Sequence, residues 1–305
     1  MITVIGEALV DLVPAPGGNL TPCPGGGPYN AARTMARLGR PVRFAGRLST
    51  DGFGALLRAR LGEDGVEVPA ALATPAPTTL ALAGIADDGS ASYTFYTDGT
   101  SAPALDAARL RQALGAVDGA LHVGSLGLVL EPMATAVEEA VLGAAATTLV
   151  FLDPNCRPAL IDDPAAYRDR ITRVRRRADV VKASDEDLRW LRPGRDPLAT
   201  ARDLLAEGPA AVLLTRGAAG VTVVSGSGVQ EVPAPKAEVV DTVGAGDAFG
   251  GAFLAWWTHH GLGRADLHRP DLLRAAATFA CTVAARTCEV AGAQPPRLAQ
   301  LAQGF

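Results

Sequence analysis

Residues 238–255 read Glu238-Val-Val-Asp241-Thr-Val-Gly244-Ala-Gly246-Asp247-Ala-Phe-Gly-Gly-Ala-Phe-Leu-Ala255. A glycine-rich turn passes directly into an apolar helix with small residues on its surface. The first backbone N–H groups of such a helix have no intrahelical partner and sit at the positive end of its dipole, which suits them to an anion. Glycines at 244 and 246 let a phosphate approach the backbone closely. Asp247 stands in the first turn, where that phosphate would lie. Two readings follow. Asp247 is an acid that complements the helix dipole, or it is the base that takes a proton from an attacking hydroxyl. In the second reading the amides of Gly244, Ala245 and Gly246 hold the charge on a transferred phosphoryl group.

Outward from this stretch, short apolar runs recur at Ile2–Gly6, Val42–Gly46, Ala120–Val123, Thr148–Asp153, Asp179–Lys182 and Ala211–Thr215. Helical patterns cover Tyr29–Leu38, Phe53–Leu61, Pro132–Ala145, Asp185–Leu191, Ala199–Glu207, Gly246–Thr258 and Pro270–Arg286. Wholly apolar runs alternating with helices predict a doubly wound α/β fold, with a mostly parallel central sheet flanked by helices. Two segments break the rhythm. Thr78–Tyr96 reads as two strands joined at Asp87-Asp-Gly89, and Ala8–Pro14 pairs with Asn19–Cys23 around Gly17-Gly18. These hairpins predict a small antiparallel β lid, about residues 8–23 and 76–100, on a single α/β domain spanning 1–305. A decorated sheet edge without mobility is the alternative.

The chain has 305 residues, 48% hydrophobic and 20% charged, enough to build a large core without disulfides. Its net charge of −4 lacks the basic excess of a nucleic-acid binder. The run Arg173-Val-Arg-Arg-Arg177 fits a solvated face near a helix C-terminus. Lys182 and Lys236 are the only lysines and neither follows a glycine, so a G-x-x-x-x-G-K-[ST] loop is absent. A dinucleotide G-x-G-x-x-G would need glycine at Phe249 and a place after the first strand, where only Gly6 occurs. Cys23, Cys156, Cys281 and Cys288 form no C-x-x-C, and the histidines form no H-E-x-x-H, so the cysteines are expected as core thiols. The N-terminus lacks a basic region and meets Glu7 early, and no apolar run approaches the roughly 20 residues of a membrane helix. A cytoplasmic protein is expected.

Asp241-Thr-Val-Gly-Ala-Gly-Asp247 resembles the C-terminal signature of the ribokinase-like (PfkB-type) carbohydrate kinases. Gly25-Gly-Gly-Pro-Tyr-Asn30-Ala-Ala matches the same family's G-G-x-x-x-N substrate segment, in the expected order, and the lid hairpin and C-terminal helix extend the resemblance over essentially the whole chain. The resemblance implies a ribokinase-like fold, a sugar acceptor, ATP with Mg2+, and Asp247 as the catalytic base.

On the sugar side it implies that Asp11, in Gly6-Glu-x-Leu-x-Asp11, binds hydroxyls; an ionised carboxylate accepts two such bonds well. Gly25, Gly26 and Asn30 match the sugar loop, with an N-cap role for Asn30 left open. Glu131 is either a sugar ligand or a helix-start acid. Tyr93 and Tyr96 are expected to cover the sugar, with Phe95 facing away from them in a regular strand. Asp153-Pro-Asn155-Cys-Arg157-Pro-Ala-Leu160 resembles the D-x-N-x-R-x-x-L segment of fructokinases and 2-keto-3-deoxygluconate kinases, although Ile161 replaces the tryptophan that commonly ends it. Asn155 and Arg157 are thereby implied at the substrate; a structural salt bridge is the other reading of Arg157.

On the nucleotide side, Lys182-Ala-Ser184-Asp-Glu-Asp187 stands where many members carry N-x-x-E, whose acid reaches Mg2+ through water. Asp187 is one methylene shorter, Asp185 or Glu186 could assist, and Ser184 with Asp187 also fits a capping box. Thr215-Arg-Gly217-Ala-Ala-Gly220 matches the T-x-G-x-x-G turn near the ATP phosphates, and Ala277 and Cys281 are expected beside adenine. A monovalent cation, K+ in some relatives, would match Asp241, Val243, Thr287, Val290 and Gly292, with Pro296 where some relatives use serine.

Fructose is the first-ranked acceptor. A 2-keto-3-deoxygluconate kinase ranks second, because Tyr96–Ala102 offers no arginine to an acid sugar and carries Asp98. A ribose or nucleoside kinase is third. From another class, a catalytically silent sugar- or nucleotide-sensing protein fits the fold, but retention of Asp247 favours the enzyme. Lid strands could pair in a homodimer; a monomer fits nearly as well.

Overall fold

Successive residues of a strand point to opposite faces, so the wholly apolar central strands need cover on both. The computed structural model describes residues 1–85, 91–115 and 117–301. Its strands are β1 (Ile2–Ile5), β2 (Leu9–Ala15), β3 (Asn19–Gly25), β4 (Val42–Ala45), β5 (Leu48–Ser49), β6 (Ala73–Thr74), β7 (Leu80–Ile85), β8 (Ala91–Tyr96), β9 (Ala120–Gly124), β10 (Leu149–Asp153), β11 (Val180–Ser184), β12 (Ala211–Thr215), β13 (Val221–Ser225) and β14 (Gly228–Val232). The helices are α1 (Gly27–Arg37), α2 (Gly52–Glu63), α3 (Ala107–Leu114), α4 (Met133–Leu142), α5 (Pro164–Arg177), α6 (Asp185–Leu191), α7 (Pro197–Ala206), α8 (Ala245–His259) and α9 (Pro270–Cys288).

The large sheet has eight strands in the order β14-β13-β12-β11-β10-β9-β1-β4. It is parallel from β4 to β12. Leu149 and Phe151 of β10 join the core under α1, α8 and α9, whereas Val150 and Leu152 join the core under α3, α4 and α5. β12 divides in the same way, Ala211 and Leu213 against Val212 and Leu214. This two-faced burial is why these strands read as unbroken apolar runs.

The small sheet has the order β3-β2-β7-β8. Each hairpin is antiparallel as expected, but the two join in parallel through β2 and β7. The Asp87-Asp-Gly89 turn lies outside the described residues. The antiparallel extension β12-β13-β14 and helix α3 were not expected from the sequence. In β14 the burial pattern is exposed except at Gln230 and Val232, a weak signal for an edge strand.

The chain leaves β1 first toward β4 and later returns on its other side at β9, so β1 marks the switch point of the sheet. Ligands of open α/β sheets bind at the carboxyl ends of strands near such a point. Helix α8 reaches that edge by close packing. A Cβ at Gly251 would lie 2.9 Å from the Ala31 carbonyl oxygen, and one at Gly250 would lie 3.3 Å from Phe151. Glycine at both positions lets α8 settle between α1 and the sheet. Among the described residues no helix is long and apolar enough to cross a membrane.

Candidate active site

A cavity of about 1310 Å³ opens at the carboxyl edge of the large sheet. It is lined by residues that follow β1, β9, β10, β11 and β12, by the small sheet, and by the N-terminal turn of α8. The volume exceeds that of a typical single-ligand pocket, so there is room for two substrates side by side.

Asp247 lies at the middle. Gly244, in the left-handed conformation at φ 77°, caps α8, and Asp247 falls in its first turn. A Cβ at Gly244 would come within 2.5 Å of the Ala293 Cβ, so only glycine makes this turn without displacing the neighbouring loop. Asn30 donates from Nδ2 to Asp247 Oδ2 at 2.9 Å. Burial pushes the Asp247 carboxyl above the usual carboxylate range, against the Asn30 hydrogen bond and the charges of Lys182 and Arg157. Asn30 is therefore not an N-cap; that position belongs to Gly26, at φ 107°.

Toward the small sheet the lining includes Glu7, Leu9, Asp11, Gly26, Gly27, Asn30, Tyr93, Phe95, Ser125, Asn155 and Arg157. Burial, then the charge of Asp247, raises Asp11 to about 6, with Arg157 opposing. Gly25 does not line the cavity. Its missing side chain makes room for Asp11, since a Cβ there would lie 2.2 Å from the Asp11 Oδ2. Arg157 forms no ion pair among the described residues; its Nη1 donates to the carbonyls of Asn155 and Cys156, which holds the guanidinium against the cavity.

Two residues named for the sugar side stand outside the cavity lining, and for Glu131 the second of its two readings holds. Glu131 lies outside the cavity, exposed, bonded to Arg170 and accepting from the Thr135 amide at 3.1 Å; it is a helix-start acid. Tyr96 also points away and is 53% exposed. Tyr93 and Phe95, two residues apart on β8, share the cavity face with ring centroids 6.2 Å apart. Strand alternation requires that pairing, so Phe95 takes the place expected of Tyr96.

Toward the other end lie Ser184, Glu186, Thr215, Gly217, Gly220, Lys236, Cys281, Ala284 and Cys288. Gly220 is at φ 91°, and a Cβ there would sit 2.2 Å from the Val232 carbonyl oxygen. Cys281 lines this end, but Ala277 is fully buried one turn earlier on α9 and does not. Ser184 caps α6, and Asp187 completes a capping box. Asp187 Oδ2 also accepts from the Ser184 hydroxyl at 2.8 Å, and its Oδ1 accepts from the Cys156 amide at 2.7 Å. Its carboxylate is thus a strut tying the end of β11 to the loop after β10.

Beneath Gly246 lies a buried ion pair, Lys182 Nζ to Asp153 Oδ2 at 2.8 Å. A Cβ at Gly246 would approach Lys182 Nζ to 3.1 Å, so the ammonium sits directly under the helix start. Burial works against the Lys182 charge, but Asp153 and Asp187 outweigh it and raise its pKa. Asp241 accepts from the Val243 amide at 3.0 Å and the Gly292 amide at 2.8 Å, which draws both loops around one carboxylate. Thr287 is fully buried, and its hydroxyl donates back to the Val283 carbonyl. Val290 is 43% exposed and has no place in the cavity lining. Among the described residues no cluster of three or more His, Cys, Asp or Glu forms a metal site.

Glu7, part of the Asp11 motif, lines the cavity although its sequence context assigns it no role. Ser125 and Lys236 line it likewise without an assigned role. Ser125, a non-glycine residue at φ 54°, marks itself only in three dimensions.

A carboxylate at a glycine-framed helix start, facing hydroxyl-binding groups on one side and an anion site on the other, is the arrangement of a phosphotransferase acting on a small polyhydroxy acceptor. The pfkB family carbohydrate kinase model matches residues 1–300, and the chain belongs to that family. It is 36% identical to the fructokinase of Rhizobium leguminosarum bv. trifolii over 84% of this chain and 79% of the relative. The fructokinase of Xylella fastidiosa with bound ATP superposes with a TM-score of 0.83 at 29% identity, covering 96% of this chain and 93% of the other. The fructokinase of Vibrio cholerae O395, in its form with fructose, ADP and calcium ion bound, gives a TM-score of 0.83 at 26% identity, covering 96% and 94%. A double mutant of that enzyme holds fructose, ADP and a potassium ion.

Proposed function

We propose that this protein is an ATP-dependent fructokinase and that Asp247 is its base. The observation that carries the reading is the position of the Asp247 carboxylate at the seam of one cavity, with Asn30 at 2.9 Å on one side and the amides of α8 on the other. Fructose lies toward the small sheet, with Asp11, Asn155 and Arg157 reading its hydroxyls and Tyr93 and Phe95 covering it. Asn30 Oδ1 is buried with no hydrogen-bond partner among the described residues, so it offers an acceptor to a sugar hydroxyl. A primary hydroxyl gives its proton to Asp247, and its oxygen attacks the γ-phosphorus in line. The bond from that phosphorus to the bridging oxygen breaks, and ADP leaves. The amides of Gly244, Ala245 and Gly246, with Lys182 beneath, hold the charge that develops.

ATP lies toward Thr215, Gly217, Gly220 and Cys281. Magnesium bound to its phosphates would neutralise their charge. Glu186, exposed in the cavity lining, is placed to reach that ion through water, because the Asp187 oxygens are committed to the capping box and to Cys156. A potassium ion beside Asp241 fits one carboxylate flanked by the 243 and 292 loops. Its ligands from this chain would be Asp241 with backbone carbonyls, since the Thr287 hydroxyl is turned away.

Among the described residues Arg157 is the only arginine lining the cavity, and the stretch after β8 carries Asp98 and no basic residue. That balance favours a neutral sugar over an acid one. The small sheet serves as a lid, its outer strands β3 and β8 are free to pair with a second copy in a homodimer, and the enzyme works in the cytoplasm where ATP is supplied. The test is ADP release with fructose, 2-keto-3-deoxygluconate, ribose and adenosine, each with and without potassium. Fructose is expected to give the highest kcat/KM. Silence with all four would leave a sensing protein instead.

A further inference from the structure

Glu7 is 1% exposed, yet it sits at the floor of the cavity. It follows β1 at the switch point, where Gly6 at φ 153° lets the strand end against Pro28. Its Oε1 accepts from the Gly27 amide at 3.1 Å and its Oε2 from the Gly127 amide at 3.0 Å. The Ser125 side chain stands close enough to the same carboxylate to favour its ionised form. One side chain therefore staples the first residue of α1 to the turn that follows β9.

What it staples is the surround of Asp247. A Cβ at Gly27 would lie 3.1 Å from Asn155 Nδ2, 3.2 Å from Asp247 Oδ1 and 3.2 Å from Ser125 Cβ. Gly27, Ser125, Asn155 and Asp247 thus meet at one point, and Glu7 holds Gly27 directly and the Ser125 turn through the Gly127 amide. Ser125 is kept in the left-handed region at φ 54°, a conformation that a non-glycine residue holds only where the surroundings enforce it.

We propose that Glu7 is a positioning residue for phosphoryl transfer, fixing the sugar loop and Ser125 against Asp247 without touching the nucleotide end. The proposal rests on the fructokinase reading above. Burial raises Glu7 to about 7, with Ser125 and the amide hydrogen bonds opposing and the Asp247 charge adding to the rise. Among the described residues no cation bonds to Glu7, so its presence in so buried a place is poorly explained by stability alone.

The test compares Glu7→Gln with wild type, each well below its own unfolding midpoint, measuring fructose turnover and calorimetric ATP binding. The glutamine keeps the size but turns an N–H group toward one of the two amides. Misplacement by about 1 Å can cost roughly a hundredfold, so kcat is expected to fall at least tenfold with ATP affinity within about twofold. Wild-type turnover in the variant overturns the proposal, and so does a parallel loss of ATP binding, which marks a general structural role. Should Glu7→Gln not fold, Ser125→Ala is read in the same way, with a drop of roughly threefold to tenfold in kcat expected and unchanged kcat overturning the proposal. If wild type itself is inactive on fructose, the fructokinase reading has failed, and that outcome is distinct from either result.

Discussion

At one end of the cavity Glu7, Asp11 and Asp247 gather three carboxyl groups whose pKa values are all raised by burial. At the other end Thr215, Gly217, Gly220, Ala284 and Cys281 present backbone, hydroxyl and small apolar groups. On the proposed reading the first end reads a pattern of sugar hydroxyls, which needs directional acceptors at fixed places, and the second holds a phosphate chain, which converging amides and one buried ammonium can serve. On that reading the nucleotide end tolerates the Ser184/Asp187 pair in place of Asn and Glu, while the sugar end depends on individual carboxylates.

Each end can be broken separately. The largest effect is expected from Lys182→Met, which leaves Asp153 buried without its partner and costs about 3–5 kcal/mol of stability. A thermal melt would register this as a marked drop, with ATP turnover falling beyond it; an unchanged melting temperature would contradict the buried-pair account. Next comes Asp11→Asn, expected to raise the fructose KM roughly tenfold to a hundredfold by removing charge-assisted hydrogen bonds of about 1.5–3 kcal/mol. The ATP KM should hold, and equal losses at both ends would erase the contrast.

A pH series sharpens the same point. Asp11 must be ionised to accept hydroxyls, and its folded value is about 6. The fructose KM should therefore rise as pH falls through 6, and that rise should flatten in Asp11→Asn. Smallest of all is Glu131→Gln, which lies outside the cavity and should change the fructose KM by less than about twofold, within the range of a surface substitution.

Much of this was legible in the sequence. The apolar runs gave the parallel strands because both faces are buried, and the glycines of Asp241–Asp247 marked the start of α8, whose first turn lines the cavity. Tyr96 was misplaced for want of a simple rule, that residues two apart on a strand share a face. Ala277 was misplaced by one helical turn. Glu131 looked like a sugar ligand because a helix-start acid and a ligand are the same residue in the same place until a partner such as Arg170 appears. Glu7 could not be read from sequence: its two hydrogen-bond partners, Gly27 and Gly127, come from two distant turns, and a Gly-Glu pair after a strand otherwise resembles any exposed loop acid. The edge strand β14 was missed because a mostly exposed strand has no apolar run to betray it, whereas β13, buried throughout Val221–Ser225, was passed over despite its apolar pattern.

The two ends meet at Asp247, and one comparison addresses that meeting directly: fructose-dependent ADP release by Asp247→Asn beside wild type, at saturating ATP and fructose. Loss of a general base predicts a fall of roughly 10²- to 10⁴-fold in kcat, with both ligands still bound by calorimetry. Turnover equal to wild type would contradict the assignment of Asp247 as the base.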